Sequence, residues 1–230
     1  MRLTRQSDCF PVRRQRGTGV WRVGVATACV ALCLGAAAPQ WLSRFSASDL
    51  TGWDEHTFDG WTDYALRDDG RGVALHAVSR GSASVFYHEE RVDLTRTPVL
   101  HWRWRVDRGP TGLDELSRDG DDYAARLYVV HRRGVLRKPF AINYVWSGSQ
   151  PAGVSWPNAW LPDHSIMLSV RGTGDENGVW YTESRNVRDD FRRLLGADID
   201  HIDVLVLMSD TDNQGGEAEA WYGDAYFASE

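Results

Sequence analysis

From residue 62 onward the chain is cut into short runs of alternating apolar and polar residues, each bounded by Gly, Asp, Asn or Pro. Such runs cannot be helices, whose apolar positions recur every three to four residues; they fit strands with one buried face. The spacing predicts strands over 62–68, 73–79, 83–93, 99–107, 123–131, 141–147, 165–171, 179–187, 202–208 and 219–227. Turn signals such as Asp68-Asp69-Gly70, Arg108-Gly109-Pro110 and Arg132-Arg133-Gly134 separate them. Many short strands at this spacing define an all-β fold, an antiparallel β-sandwich or jelly roll. One helix is expected over 189–195, capped by Asp189 or Asp190 and ended by Gly196. In the less regular stretch 39–61, Trp41, Phe45, Trp53, Phe58 and Trp61 are expected to pack across the sandwich. The closing run Tyr222–Phe227 is expected to pair with the first strand. With no internal repeat and no low-complexity linker, residues 39–230 read as one domain.

The first 38 residues read differently. Six arginines end at Arg22, an apolar run spans Val23–Ala38, and three small residues, Ala36, Ala37 and Ala38, close it. That is the build of a secretory signal peptide, and the run is short for a membrane span. The chain is therefore expected to be exported, to a periplasm or beyond the cell. It would touch a membrane only through a leader left uncut. Cys9, Cys29 and Cys33 all lie in this leader, so the mature chain can hold neither a disulfide nor a thiolate site. Without the leader the chain keeps 20 basic and 31 acidic residues, a net charge of −11, which argues against a nucleic-acid partner.

Strand phases single out one set of side chains. Leu100, Trp102, Trp104 and Val106 point one way, and His101, Arg103 and Arg105 the other. Arg126, Tyr128 and Val130 share a face, as do Ile142, Tyr144 and Trp146, and Tyr181, Glu183 and Arg185. With these strands as neighbours, one sheet face carries Arg103, Arg126, Tyr128, Tyr144, Trp146, Glu183 and Arg185. Flat rings stack on sugar faces, and Arg and Glu bond hydroxyls and carboxylates. A solvated sheet face with cross-strand ion pairs is the competing reading. Loops supply a rim: Asp121 and Asp122, the turn Trp156-Pro157-Asn158-Ala159-Trp160, and Asn186. The turn is either a binding lip or a cap on the core.

Asp210-Thr211-Asp212-Asn213 resembles the start of a calcium loop, with Asp210, Asp212 and Asn213 as candidate ligands; a plain Asp/Asn/Gly turn is the alternative. No cofactor beyond a structural calcium is called for. Asp121, Asp122, Glu183, Asp210 and Asp212 are the candidate carboxylates for glycan hydrolysis, a reaction needing two of them. No Gly-x-Ser-x-Gly elbow occurs. The mature histidines, His56, His76, His88, His101, His131, His164 and His201, show no HExxH and no close pair, which argues against zinc. The balance favours a binding protein over an enzyme.

Taken together, Trp102-Arg103-Trp104, Gly120-Asp121-Asp122-Tyr123-Ala124-Ala125-Arg126, Tyr144-Val145-Trp146, Glu183-Ser184-Arg185-Asn186-Val187, Asp210-Thr211-Asp212-Asn213 and Tyr222-Gly223-Asp224 resemble a bacterial family known only as domain of unknown function 3047. The resemblance spans roughly residues 45–228. It implies an exported protein with no assigned activity, and so no catalytic residues to transfer. The implied architecture is similar to galactose-binding-like jelly rolls, which bind glycans and sometimes hold a structural calcium. The leading expectation is thus a module binding carbohydrate or another envelope component. The alternatives are a glycan hydrolase and an envelope structural or protein-interaction domain with an arginine face toward an acidic partner.

Overall fold

A computed structural model describes residues 37–230; the expected leader lies outside the described residues except for Ala37 and Ala38. The strands are β1 (Gln40–Ser43), β2 (Trp53–Asp59), β3 (Asp63–Asp68), β4 (Val73–Arg80), β5 (Ala83–Asp93), β6 (Val99–Arg108), β7 (Ala125–His131), β8 (Phe140–Trp146), β9 (Ser155–Pro157), β10 (Ser165–Arg171), β11 (Tyr181–Asn186), β12 (His201–Asp210) and β13 (Glu217–Ala228). The helix α1 spans Val187–Leu195. Its N-cap is Asn186, whose Oδ1 accepts from the Asp189 backbone N–H, one turn earlier than the expected Asp caps; Gly196 ends it at φ 63°. No helix among the described residues is long and apolar enough to cross a membrane.

Two sheets face each other. One runs β11-β6-β13-β4-β3, with β1 added on β13; the other runs β2-β5-β12-β7-β8-β10-β9. The first and last strands do pair, antiparallel, with Trp41 opposite Tyr226. One pair departs from the antiparallel rule: β8 and β10 are parallel, so the chain between them crosses over.

The core lies between the sheets. Leu100, Trp102, Trp104 and Val106 of β6 enter it, as expected, against Leu127 and Val129 of β7 and Leu205 and Leu207 of β12. Trp104 is fully buried, and truncating such a ring to Ala costs about 3–5 kcal/mol. In the stretch before β3, Phe45 and Trp53 are buried, whereas Trp41, Phe58 and Trp61 stay exposed.

The single ring-and-arginine face does not form. Within β7/β8, Leu127 stands opposite Tyr144 and Ala125 opposite Trp146, so both rings go to the core while Arg126 and Tyr128 point outward. A one-residue difference of register reverses every side chain, because the strand period is two. In the other sheet, Tyr181 pairs with Trp104, Glu183 with Trp102 and Arg185 with Leu100, which turns that strand's rings and charges inward as well. Arg103 keeps its outward position, but on the six-stranded sheet, away from Arg126.

Candidate functional site

The outer face of the seven-stranded sheet is apolar at its centre. Ala83 and Val85 of β5, Val204, Val206 and Met208 of β12, and Tyr128 and Val130 of β7 pack into a cluster of their own. A cleft of about 490 Å³ lies over the β7/β8 side of this floor. Phe58 and Asp59, from the end of β2, form one wall. Asn158, Trp160 and Leu161, from the β8–β10 crossover, form the other. The open rings Phe58 and Trp160 are 64% and 52% exposed.

Asn158 builds its wall from within. Its Oδ1 accepts from the backbone N–H groups of Trp160 and Leu161, both at 3.0 Å. The Arg118 guanidinium sits over the Trp160 ring at 4.7 Å. Trp156 takes the opposite role: it is buried with Tyr123, Val145 and Met167, and its indole N–H donates to the Glu115 carbonyl. The turn is thus a lip at Trp160 and a cap at Trp156.

One end of the cleft is polar. Arg126 Nη2 donates to Asp210 Oδ2 at 2.7 Å and to the Asp121 carbonyl at 3.0 Å. The Tyr123 ring lies 4.5 Å from the guanidinium carbon. Asp122 sews two loops together: Oδ1 accepts from the Asn213 backbone and side chain, and Oδ2 from the Gln214 backbone. Burial pushes the Asp210 carboxyl far above the carboxylate range against the pull of Arg126, with Asp121, Asp122 and Asp212 pushing the same way. Burial likewise raises Asp121 and Asp212. Burial opposes the charge on Arg126, but Asp210 and Asp121 more than restore it. Asp121 Oδ1, Asp210 Oδ1 and Arg126 Nε have no hydrogen-bond partner.

Ligand atoms of Asp122, Asp210 and Asp212 lie within 4.8 Å of one another. An all-oxygen set suits a hard cation such as calcium. The cluster joins Asp122 to the expected Asp210 and Asp212, and the Asn213 side-chain N–H group bonds the Asp122 carboxylate beside it.

The remaining sequence candidates do structural work elsewhere. The Tyr144 hydroxyl donates to Asp190 Oδ2, tying β8 to α1. Arg185 clamps the same carboxylate through Nε and Nη2. Glu183 accepts from Trp104 Nε1 and from two nitrogens of Arg171. Trp146 packs against Trp104 and Tyr181, and one edge of it reaches a smaller cleft of about 280 Å³ by Gly172–Asp175. Asn186 caps the helix. The site therefore keeps Arg126, Tyr128, Asp121, Asn158, Asp210, Asp212 and Asn213, and adds Phe58, Asn143, Ser165 and Met208. Phe58 ends a strand exposed at most positions, so no alternation marked it.

Fold and cleft together define a two-sheet β-sandwich with a ligand-sized groove across the outside of one sheet. The chain belongs to the family described as Protein of unknown function (DUF3047), whose model matches residues 51–226. No curated protein matches the sequence. Among solved structures, it is similar to the family 30 carbohydrate-binding module of a Clostridium thermocellum cellulosomal cellulase (9% identity, 84% of this chain, 99% of that chain, TM-score 0.49). It is also similar to the family 11 module from Clostridium thermocellum in complex with a β-1,3-1,4-mixed-linked tetrasaccharide (8% identity, 84% and 96%, TM-score 0.43). A β-1,2-glucanase from Parabacteroides distasonis matches over 82% of this chain and 24% of its own (12% identity, TM-score 0.44). Likeness at this level concerns the fold alone.

Proposed function

We propose that the protein is an exported binding module that takes a carbohydrate or a related cell-envelope component in the cleft over β7 and β8. One observation carries the reading: two large open rings, Phe58 and Trp160, flank an apolar floor that leads to a polar end at Arg126, Asp121 and Asp210. Exposed rings beside a concave apolar surface have a cost in water that a stacked ligand removes. The carboxylates and Asn143 then offer acceptors and donors for hydroxyl groups.

The test is retention of the protein on a panel of bacterial and plant polysaccharides, with released sugar followed in the same tubes. Retention without release, weakened at least tenfold by Trp160→Ala at unchanged Tm, is the expected result. Failure of every polysaccharide, or retention indifferent to Trp160→Ala, overturns it.

A second reading, glycan hydrolysis, has one specific observation in its favour. Asp210 and Asp212 line the cleft end, with one oxygen of each within 4.8 Å of the other, and burial holds Asp210 toward its protonated form; the reaction needs two such carboxyls. It requires release of sugar that Asp212→Asn abolishes while retention persists. The interaction-domain reading loses its arginine face, since Arg103 and Arg126 stand on different sheets. The structural calcium is separable from all of these. At Asp122, Asp210 and Asp212 it requires a Tm raised by calcium and returned by chelator.

A further inference from the structure

The histidines are scattered along the chain, yet strand pairing brings two of them together far from the polar end of the cleft. His131 ends β7 and His201 begins β12, its neighbour, whose other end is Asp210. The two imidazole rings meet edge to face at 4.6 Å. Asp203 joins them, and each of the three residues offers a ligand atom within 4.8 Å of the others. We propose that His131, His201 and Asp203 form a binding site for a zinc-like transition-metal ion.

The hydrogen bonds fix which ring nitrogens are free. His131 Nδ1 lies 3.0 Å from the His201 carbonyl oxygen. A carbonyl only accepts, so Nδ1 carries the proton and Nε2 the lone pair. His201 Nδ1 is bonded to the Asp200 carboxylate, which again leaves the lone pair on Nε2. That Nε2 faces Asp203 Oδ1 at 3.6 Å, too far for a hydrogen bond. Asp203 Oδ2 is already engaged, accepting the Arg132 backbone N–H at 2.7 Å.

Two electron pairs therefore confront each other across a gap of 3.6 Å. Two ligands held at ~2.0–2.1 Å by a tetrahedral ion stand about 3.4 Å apart. His131 approaches Asp203 through Nδ1, 3.9 Å from Oδ2, so its ring must turn for Nε2 to join the same shell. Second N–H groups given to a carbonyl and a carboxylate are the arrangement that orients metal-binding imidazoles. Two imidazoles and one carboxylate suit zinc and its neighbours rather than calcium. The nearby Arg132 guanidinium is taken up by Glu89 and does not fill the gap. Three protein ligands leave a fourth position for water or a small ligand. The rival occupant is a proton on His201, which would make the group an ordinary ion pair.

Calorimetric titration of Zn²⁺ into the full chain tests this, with Cys9, Cys29 and Cys33 alkylated to remove thiolate donors. The expected result is one ion per chain, with affinity falling at least tenfold in His201→Gln and in Asp203→Asn. No saturable binding, or binding that both variants keep, overturns the site. Should a variant fail to fold, Co²⁺ is added to the unaltered sequence. The ring-proton signals of His131 and His201 should then shift paramagnetically while those of His56 and His164 hold still; shifts confined to other histidines overturn the site. Zinc binding does not depend on the cleft reading, so either can fail alone.

Discussion

The two outer faces of the sandwich are built from the same residue types and end in opposite states. On the six-stranded sheet, Arg105 meets Asp69 and Asp107, Trp180 donates to Asp69, and Trp221 donates to Asp107. Arg103 lies over Trp180 at 4.8 Å and Arg105 over Trp221 at 4.8 Å. Gly223 lets this lattice close, because a Cβ there would stand 2.3 Å from Arg103 Cγ. On the seven-stranded sheet, one buried arginine, Arg126, serves two acids, Asp121 and Asp210, and Trp160, even with Arg118 over its ring, stays half exposed at the cleft. Arginine and tryptophan on a sheet face do not by themselves make a binding surface. What matters is whether their bonding capacity is already filled by neighbours.

The sharpest way to break this comparison is Arg126→Ala. It leaves Asp210 and Asp121 buried without their cation, and should cost about 3–5 kcal/mol in denaturant unfolding. An effect below about 1 kcal/mol would mean that both acids are neutral already. Next comes binding. Trp160→Ala should cost at least about 1.4 kcal/mol of affinity for the retained polysaccharide, whereas Trp180→Ala on the other face should leave affinity unchanged. Equal losses would erase the distinction between the faces.

The smallest effect is a pair of opposite pH slopes. Asp210 is raised by burial, so its contribution is present in acid and is lost as pH climbs from the unfolded value through its folded one. Burial also works against the Asp69 carboxylate, but bonds from Trp180 and the Arg71 backbone, with the charge of Arg105, hold it below the usual range. Its contribution is therefore present above the unfolded value and lost as pH falls through the folded one. The stability of Asp210→Asn relative to the parent should rise from pH 4 toward 7, and that of Asp69→Asn should fall; chemical denaturation across that range reads both.

Strands with a clean alternation were legible in the sequence. β6 announced its core side through Leu100, Trp102, Trp104 and Val106, and all four are buried. β2 exposes every residue but Trp53 and, in part, Thr57, and β9 has three residues, so neither carries a periodic signal. Partner and register were not legible. Tyr144 falls opposite Leu127, and nothing within its own strand says so. Likewise, the cluster of His131 and His201 exists only through the pairing of β7 with β12. The cleft was half visible: Arg126, Tyr128 and Asn158 stood out by type and position, while Met208 reads as a core residue until the outer face is seen to be apolar.

The place of β13 bears on how the molecule comes into being. This strand, ending at Ala228, hydrogen-bonds to β1, β4 and β6 and so forms the middle of its sheet. Among the described strands it comes last in chain order. The six-stranded sheet cannot assemble strand by strand in chain order, because its central strand follows all the others in sequence. Until it joins, β4 and β6 lack the partner between them, and their unpaired edges are open to wrong pairing. A chain lacking β13 would have two half-sheets, β11-β6 and β4-β3, and no way to join them.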